Sequence, residues 1–360
     1  MFKPKISNRT KLAVCQRSRS NTSRQTIPIE TLCSGDISML RKIMFVLVIL
    51  FSALLPAAAL ADNNIVVQQL SFPVTLSDGN TYTIAGYLYY QGSYQNKPLQ
   101  VLVHGGGYNH LYWDVPSINN NKYSYARYMA EEKYAVLAID QLGTGQSSKP
   151  NGDFVTLAET ASAIHQVIGQ MRSGNNALGQ PFNKIVLVGH SFGSINAITV
   201  QATYHDADAL VITALGHVPH ELPFTNEFLA ELAQYEYFTL PPEVRSAVFY
   251  SAPAADPDVI AYDNANLIDQ ITRGQLFTTF AAIFNDSVAQ VSGPVLVQLG
   301  QNDALWPASY ANGEAAYWTS ASSITVQSLP DVGHSFNTHL DNKRGWKQIS
   351  QWLSATAGWN

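Results

Sequence analysis

The chain has 360 residues, 46% hydrophobic and 13% charged, with 21 Lys/Arg against 26 Asp/Glu and a formal net charge of −5. The charge is unevenly spread: residues 1–61 hold nine Lys/Arg and two acids, leaving 12 and 24 for residues 62–360, a formal −12. So acidic a body argues against nucleic acid as a partner, because phosphate binding needs clustered positive charge.

The basic segment reads as a leader. Arg41-Lys42 precedes an apolar run at 43–55, then Pro56 and small residues ending at Ala61. That is a charged n-region, a short h-region and an A-x-A-like cleavage site, with the processed chain expected to start near Asp62. Met39 is an alternative true start, which makes residues 1–38 an upstream extension. The 13-residue run falls short of the roughly 20 residues of a membrane span. The reading is therefore a secreted or periplasmic protein with no stable span after cleavage; an uncleaved anchor is the alternative. Both cysteines, Cys15 and Cys33, lie in the leader, so the body has neither disulfide nor thiolate metal site. A body of about 300 residues buries enough core to manage without. Asn285-Asp286-Ser287 is its one glycosylation sequon, relevant only in a eukaryotic secretory pathway.

After the leader, strands and helices alternate. Residues 65–70 and 81–90 predict a hairpin around Asp78-Gly79-Asn80. A short strand at 98–103 ends at His104-Gly105-Gly106-Gly107. A helix over 123–133 leads into the apolar run 134–139, suited to a strand covered on both faces. Residues 156–172 have helical periodicity. A strand at 182–189 and a small-residue helix follow, then strands at 209–215, 295–299 and 324–329 and a closing helix over 339–354. Such alternation predicts a mostly parallel sheet flanked by helices. Residues 216–293 break it, with Phe224, Phe228, Leu229, Leu232, Tyr235, Tyr237 and Phe238 at helical spacing. A structureless loop of that length is improbable, so the segment is expected to be a helical cap inserted in a core made of 62–215 and 294–360.

Gly189-His190-Ser191-Phe192-Gly193 is a G-x-S-x-G turn between a buried strand and a helix. Its glycines let neighbouring backbone approach a serine held on a strained turn. A serine hydroxyl needs a base, and the base a third group to orient it. His334 is the base candidate because, of nine histidines, it lies in the loop after the last strand beside a glycine. Asp303, in the turn after strand 295–299, is the acid candidate; Asp331, three residues from His334, is its rival. The expected oxyanion donors are the Phe192 amide and an amide of the 104–107 loop, Gly106 first and Gly107 second. Tyr108, Tyr112, Trp113, Phe192 and Trp306 are expected near an apolar or aromatic pocket. Glycine spacing in 140–148 is too weak for a phosphate loop. His205, His217 and His220 do not have metal-ligand spacing, so neither metal nor cofactor is expected.

On His104 to Gly107, Asp140 to Ser148, Gly189 to Gly193, Asp303 and Asp331 to His334, in that order, the chain resembles the α/β-hydrolase superfamily of capped, esterase- and lipase-like members. The resemblance spans about residues 65–355. It implies an α/β-hydrolase fold, a Ser191–His334–Asp303 triad and an acyl-serine intermediate. Members with aspartate in the elbow displace halides or open epoxides; Ser191 argues against both. The expected activity is hydrolysis of small-molecule carboxylic esters, apolar or aromatic. Amide or lactone hydrolysis, or release of amino-terminal proline, is the rival, and Glu221, Glu227, Glu231 and Glu236 are candidate anchors for a free amine. A binding protein that merely retains the fold is the reading from another class.

Overall fold

The computed structural model describes residues 64–252, 254–283, 287–357 and 359. The expected leader, both cysteines and the first two residues of the sequon lie outside the described residues. Strand β1 (Ile65–Thr75) alternates from Leu70 on, burying Leu70, Phe72 and Val74 and exposing Ser71, Pro73 and Thr75. It pairs antiparallel with β2 (Thr81–Gln91) from Ile65↔Gln91 to Thr75↔Thr81, and the turn between them uses Gly79 at φ 80°. The hairpin is longer than its apolar run alone indicated, because Pro73 lacks the donor an interior strand needs but is tolerated on the sheet's edge.

Strands β3 (Leu99–Val103), β6 (Ala135–Ile139), β7 (Ile185–His190) and β8 (Ala209–Thr213) are buried at every position, as strands covered on both faces must be. With β11 (Gly293–Gly300) and β12 (Ala321–Leu329) they complete an eight-stranded sheet of order β1-β2-β6-β3-β7-β8-β11-β12. Only the pairs β1·β2 and β2·β6 are antiparallel. A hairpin of β4 (Val115–Ile118) and β5 (Asn121–Tyr123), which the sequence reading missed, follows β3.

Helices α1 (Tyr125–Glu131), α2 (Leu157–Ser173) and α3 (Phe192–Tyr204) make the crossovers. Helix α2 starts where the Thr156 hydroxyl accepts the Glu159 amide and stops at Gly174, which takes the left-handed conformation at φ 79°, a cap that favours glycine. Its buried stripe includes Ile164, Val167, Ile168 and Met171.

Between β8 and β11 the described residues hold α4 (Asn226–Leu232), α5 (Pro242–Phe249), α6 (Pro257–Asn266) and α7 (Arg273–Ala282). A two-stranded ribbon of β9 (Tyr237–Phe238) and β10 (Ile271–Thr272) joins them. The short α8 (Ala311–Glu314) precedes β12, and α9 (Asn342–Ala357) closes the chain. No helix of the described residues is long and apolar enough to cross a membrane.

Candidate active site

Strand β7 ends at His190, and the chain turns sharply into α3 through Ser191, whose φ is 54° and ψ −120°. Left-handed backbone at a residue with a side chain is costly, so the surroundings must hold it. The Ser191 amide donates to the Thr213 carbonyl at 2.9 Å, and the Ser191 carbonyl accepts from Ser194 at 2.8 Å. The two flanking glycines are needed for space rather than for φ. A Cβ on Gly189 would lie 2.5 Å from the Gly193 carbonyl oxygen, and one on Gly193 would lie 2.2 Å from that of Val103.

Three loops converge on this turn. His334, in the loop after β12, approaches the Ser191 Oγ with Nε2 at 2.9 Å. Its Nδ1 is 3.0 Å from both carboxylate oxygens of Asp303, in the turn after β11. Asp303 Oδ1 also accepts the amides of Leu305 at 2.8 Å and Trp306 at 3.0 Å, which fix the carboxylate. Both side chains are buried. Asp331, the rival acid, is exposed in a turn at φ 54°; the imidazole meets Asp303. With Asp303 accepting from Nδ1–H, the Nε2 lone pair faces the Ser191 hydroxyl, as proton removal from a nucleophile requires.

The third loop is His104 to Tyr108. Gly106 lines the same pocket as Ser191, whereas Gly107 does not. A Cβ on Gly106 would come within 3.0 Å of the Phe192 ring. Among the described residues nothing accepts from the Gly106 or Phe192 amides, so two backbone donors are uncommitted beside Ser191. His104 anchors the loop: its Nε2 accepts the Gln141 amide and also meets the Thr144 hydroxyl at 3.1 Å. Burial holds its pKa below the ordinary histidine range. His190, stacked on Tyr112 with centroids 4.4 Å apart, is pushed well below that range, by burial first and then by neighbouring His334. It is a neutral wall behind the site.

The 140–148 loop is a closed structural turn. Asp140 accepts from the His110 and Gln146 amides, each at 2.8 Å, and sits where a Cβ on Gly145 would fall. Among the described residues no three His, Cys, Asp or Glu side chains form a group that could hold a metal ion.

The pocket over Ser191 corrects one expectation. Tyr108, Trp113 and Trp306 are not in its lining, and neither is Tyr112. All four are buried packing residues: Tyr108 bonds Asp263 and Ser335 through its hydroxyl, and Trp113 packs against Tyr112 and Tyr125. Of the aromatic residues expected there, Phe192 alone lines it. The remaining aromatic wall is Phe224, Phe228, Phe238, Phe249 and Phe280, contributed by the segment between β8 and β11. Helical spacing singled out Phe224, Phe228, Leu229, Leu232 and Phe238 of this lining, although Phe238 lies in strand β9; spacing does not say what a face covers. None of Glu221, Glu227, Glu231 and Glu236 is in the lining. The cavity volume is about 50 Å³, room for a few water molecules.

The strand order and the strained serine turn at the end of β7 define the α/β-hydrolase fold. The model of the Alpha/beta hydrolase family matches residues 100–343, more than half of the chain, and the chain belongs to that family. No curated protein matches the sequence. Among solved structures, a thermophilic esterase from Thermogutta terrifontis shares 18% identity over 80% of this chain and 99% of its own, with a TM-score of 0.55. A monoacylglycerol lipase from Paleococcus ferrophilus shares 17% over 81% and 99%, TM-score 0.55. An enol-lactonase from Burkholderia xenovorans LB400 shares 14% over 78% and 99%, TM-score 0.57. At such identities the likeness is one of fold.

Proposed function

We propose that the protein is an exported serine hydrolase that cleaves carboxylic esters with short, apolar acyl groups. The observation that carries this is the continuous contact chain from Ser191 Oγ through His334 to Asp303, with separations of 2.9 and 3.0 Å. In the reaction, His334 Nε2 takes the Ser191 proton as Oγ attacks the carbonyl carbon. The Gly106 and Phe192 amides hold the oxygen that becomes negative. The imidazolium returns its proton to the departing alcohol, leaving an acyl-serine. Water, deprotonated by His334, then attacks the acyl carbon; the acid departs and Ser191 regains its proton.

The apolar, largely phenylalanine lining supports an uncharged acyl group, and the small volume supports a short one. We read the 216–293 segment, which supplies most of that lining, as the cap. Among the described residues no acidic side chain lines the pocket, which favours esters over substrates anchored by a free amine. Lactones, as internal esters, fall within the same chemistry.

Labelling with a fluorophosphonate tests the mechanism: modification of Ser191 in the folded protein is expected, and an unlabelled Ser191 overturns it. A panel of nitrophenyl esters beside amino-acid amides tests the substrate class, and faster turnover of the amides would reverse it. Export rests on residues 41–61. Amino-terminal sequencing of the secreted or periplasmic protein should begin near Asp62.

A further inference from the structure

The buried pair of Arg245 on α5 and Asp263 on α6 has both side chains at 0% exposure. Burying two charges in contact gains little stability over well-packed apolar residues of similar volume. What such a pair supplies is geometry, and its contacts lead to two parts of the site. On one side Arg245 Nη1 donates to the Gly107 carbonyl at 2.9 Å, and the Asp269 amide donates to the same oxygen at 3.0 Å. Gly107 has φ 73°, and a Cβ there would stand 3.1 Å from Nη1. Glycine therefore gives the loop both its conformation and the room for the guanidinium.

On the other side Asp263 Oδ2 accepts the hydroxyls of Tyr108, at 2.8 Å, and Tyr250. The Tyr108 hydroxyl also meets Ser335 Oγ at 2.9 Å, next in sequence to His334. The Ser335 amide donates to the Phe249 carbonyl at 2.8 Å, and the Phe249 ring stacks against His334 with centroids 5.5 Å apart. The guanidinium lies 4.5 Å over the Tyr108 ring and 5.0 Å over that of Phe249. Neither Arg245 nor Asp263 lines the pocket, so neither meets substrate.

Resting on the serine-hydrolase reading above, we propose that Arg245 and Asp263 are positioning residues. Through the Gly107 carbonyl they set the Gly106 amide, and through Tyr108 and Ser335 they set the His334 loop. The segment between β8 and β11 then completes the catalytic geometry as well as covering it. Interactions that matter in the transition state alone are felt in kcat, with KM spared.

The test uses the folded full-length protein with 4-nitrophenyl butyrate as probe. Arg245→Met with Asp263→Leu removes both charges together, so neither is left buried alone. A fall in kcat of about 10²-fold is expected from displacement of an oxyanion donor, with KM within about twofold and the near-ultraviolet dichroism of the folded protein retained; the urea midpoint falls, because the Tyr250 hydroxyl loses its carboxylate acceptor. Wild-type kcat in this variant, or a raised KM at unchanged kcat, overturns the proposal. If the double variant does not fold, Arg245→Lys decides. Lysine puts one ammonium where Nη1 and Nη2 meet Gly107 and Asp263 separately, so partial loss of kcat at an unchanged midpoint supports the role and full kcat refutes it. A wild-type protein that neither turns over the ester nor takes a fluorophosphonate label sinks the parent reading instead, before any variant is made.

Discussion

Gly193 lies directly beneath the end of β3, and a Cβ there would be 2.2 Å from the Val103 carbonyl oxygen and 2.4 Å from that of His104. Those neighbours are backbone and cannot swing aside. Gly193→Ala should therefore push α3 away from β3, costing about 1–3 kcal/mol of stability and misplacing Ser191. Urea unfolding and ester turnover measure the two effects; a variant with wild-type midpoint and rate would contradict the close packing.

Asp303 meets His334 Nδ1 at 3.0 Å, the contact that in the proposed mechanism holds the imidazole tautomer. Asp303→Asn keeps the shape but offers a donor where the ring must itself donate. A kcat reduced by about 10⁴-fold is expected with the near-ultraviolet dichroism of the folded protein retained. Because Asp331 faces solvent, Asp331→Asn should leave kcat within about twofold. The reverse order of effects would exchange their roles.

His339 Nε2 accepts the amides of Gly333 at 3.0 Å and Ser251 at 3.2 Å, and Nδ1 donates to the Ser335 carbonyl at 2.8 Å. Burial holds its pKa below the usual 6.5, and His104 and His190 are lowered for the same main reason. The unfolded chain thus binds more protons than the folded one once the pH drops below about 6.5. Stability is full above that value and declines on acidification toward the folded pKa values, by up to about 1.4 kcal/mol per pH unit for each histidine. Urea midpoints should fall from pH 7 to pH 5, and less steeply in His339→Gln. A flat profile would count against neutral buried rings.

Phe280 meets Phe192 edge-on, with centroids 6.0 Å apart, and lies 6.5 Å from Phe224. Phe280→Ala should lengthen the pocket and raise the ratio of kcat/KM for octanoyl over butyryl nitrophenyl esters, by about tenfold or more, since a methylene in an apolar pocket discriminates by about 10-fold to 200-fold. An unchanged ratio would move the acyl group out of this pocket.

Much of the fold was legible because its signals are local. Runs such as 134–139 suit strands buried on both faces, and the helical period over 156–172 falls on α2 to within a residue at each end. The β4–β5 hairpin and the β9–β10 ribbon were not legible: strands of two to four residues are too short for a period to appear. The pocket wall escaped for another reason. Tyr108, Trp113 and Trp306 lie near the right motifs in sequence, but their rings turn into the packed interior, and a side chain's direction depends on neighbours far along the chain.

The sequence by itself determined the alternation of strands and helices, the membership in a mostly parallel α/β architecture and the glycine-flanked serine, because each depends on local periodicity and on which backbone angles a residue tolerates. Only the tertiary structure decided that Asp303 rather than Asp331 meets His334, that phenylalanines from the 216–293 segment wall the pocket, and that Arg245 reaches the Gly107 carbonyl. Arg245 and Gly107 are 138 residues apart and Ser191 and His334 are 143 apart. No local rule connects such positions; the order of strands in the sheet and the packing of buried charges and rings bring them together.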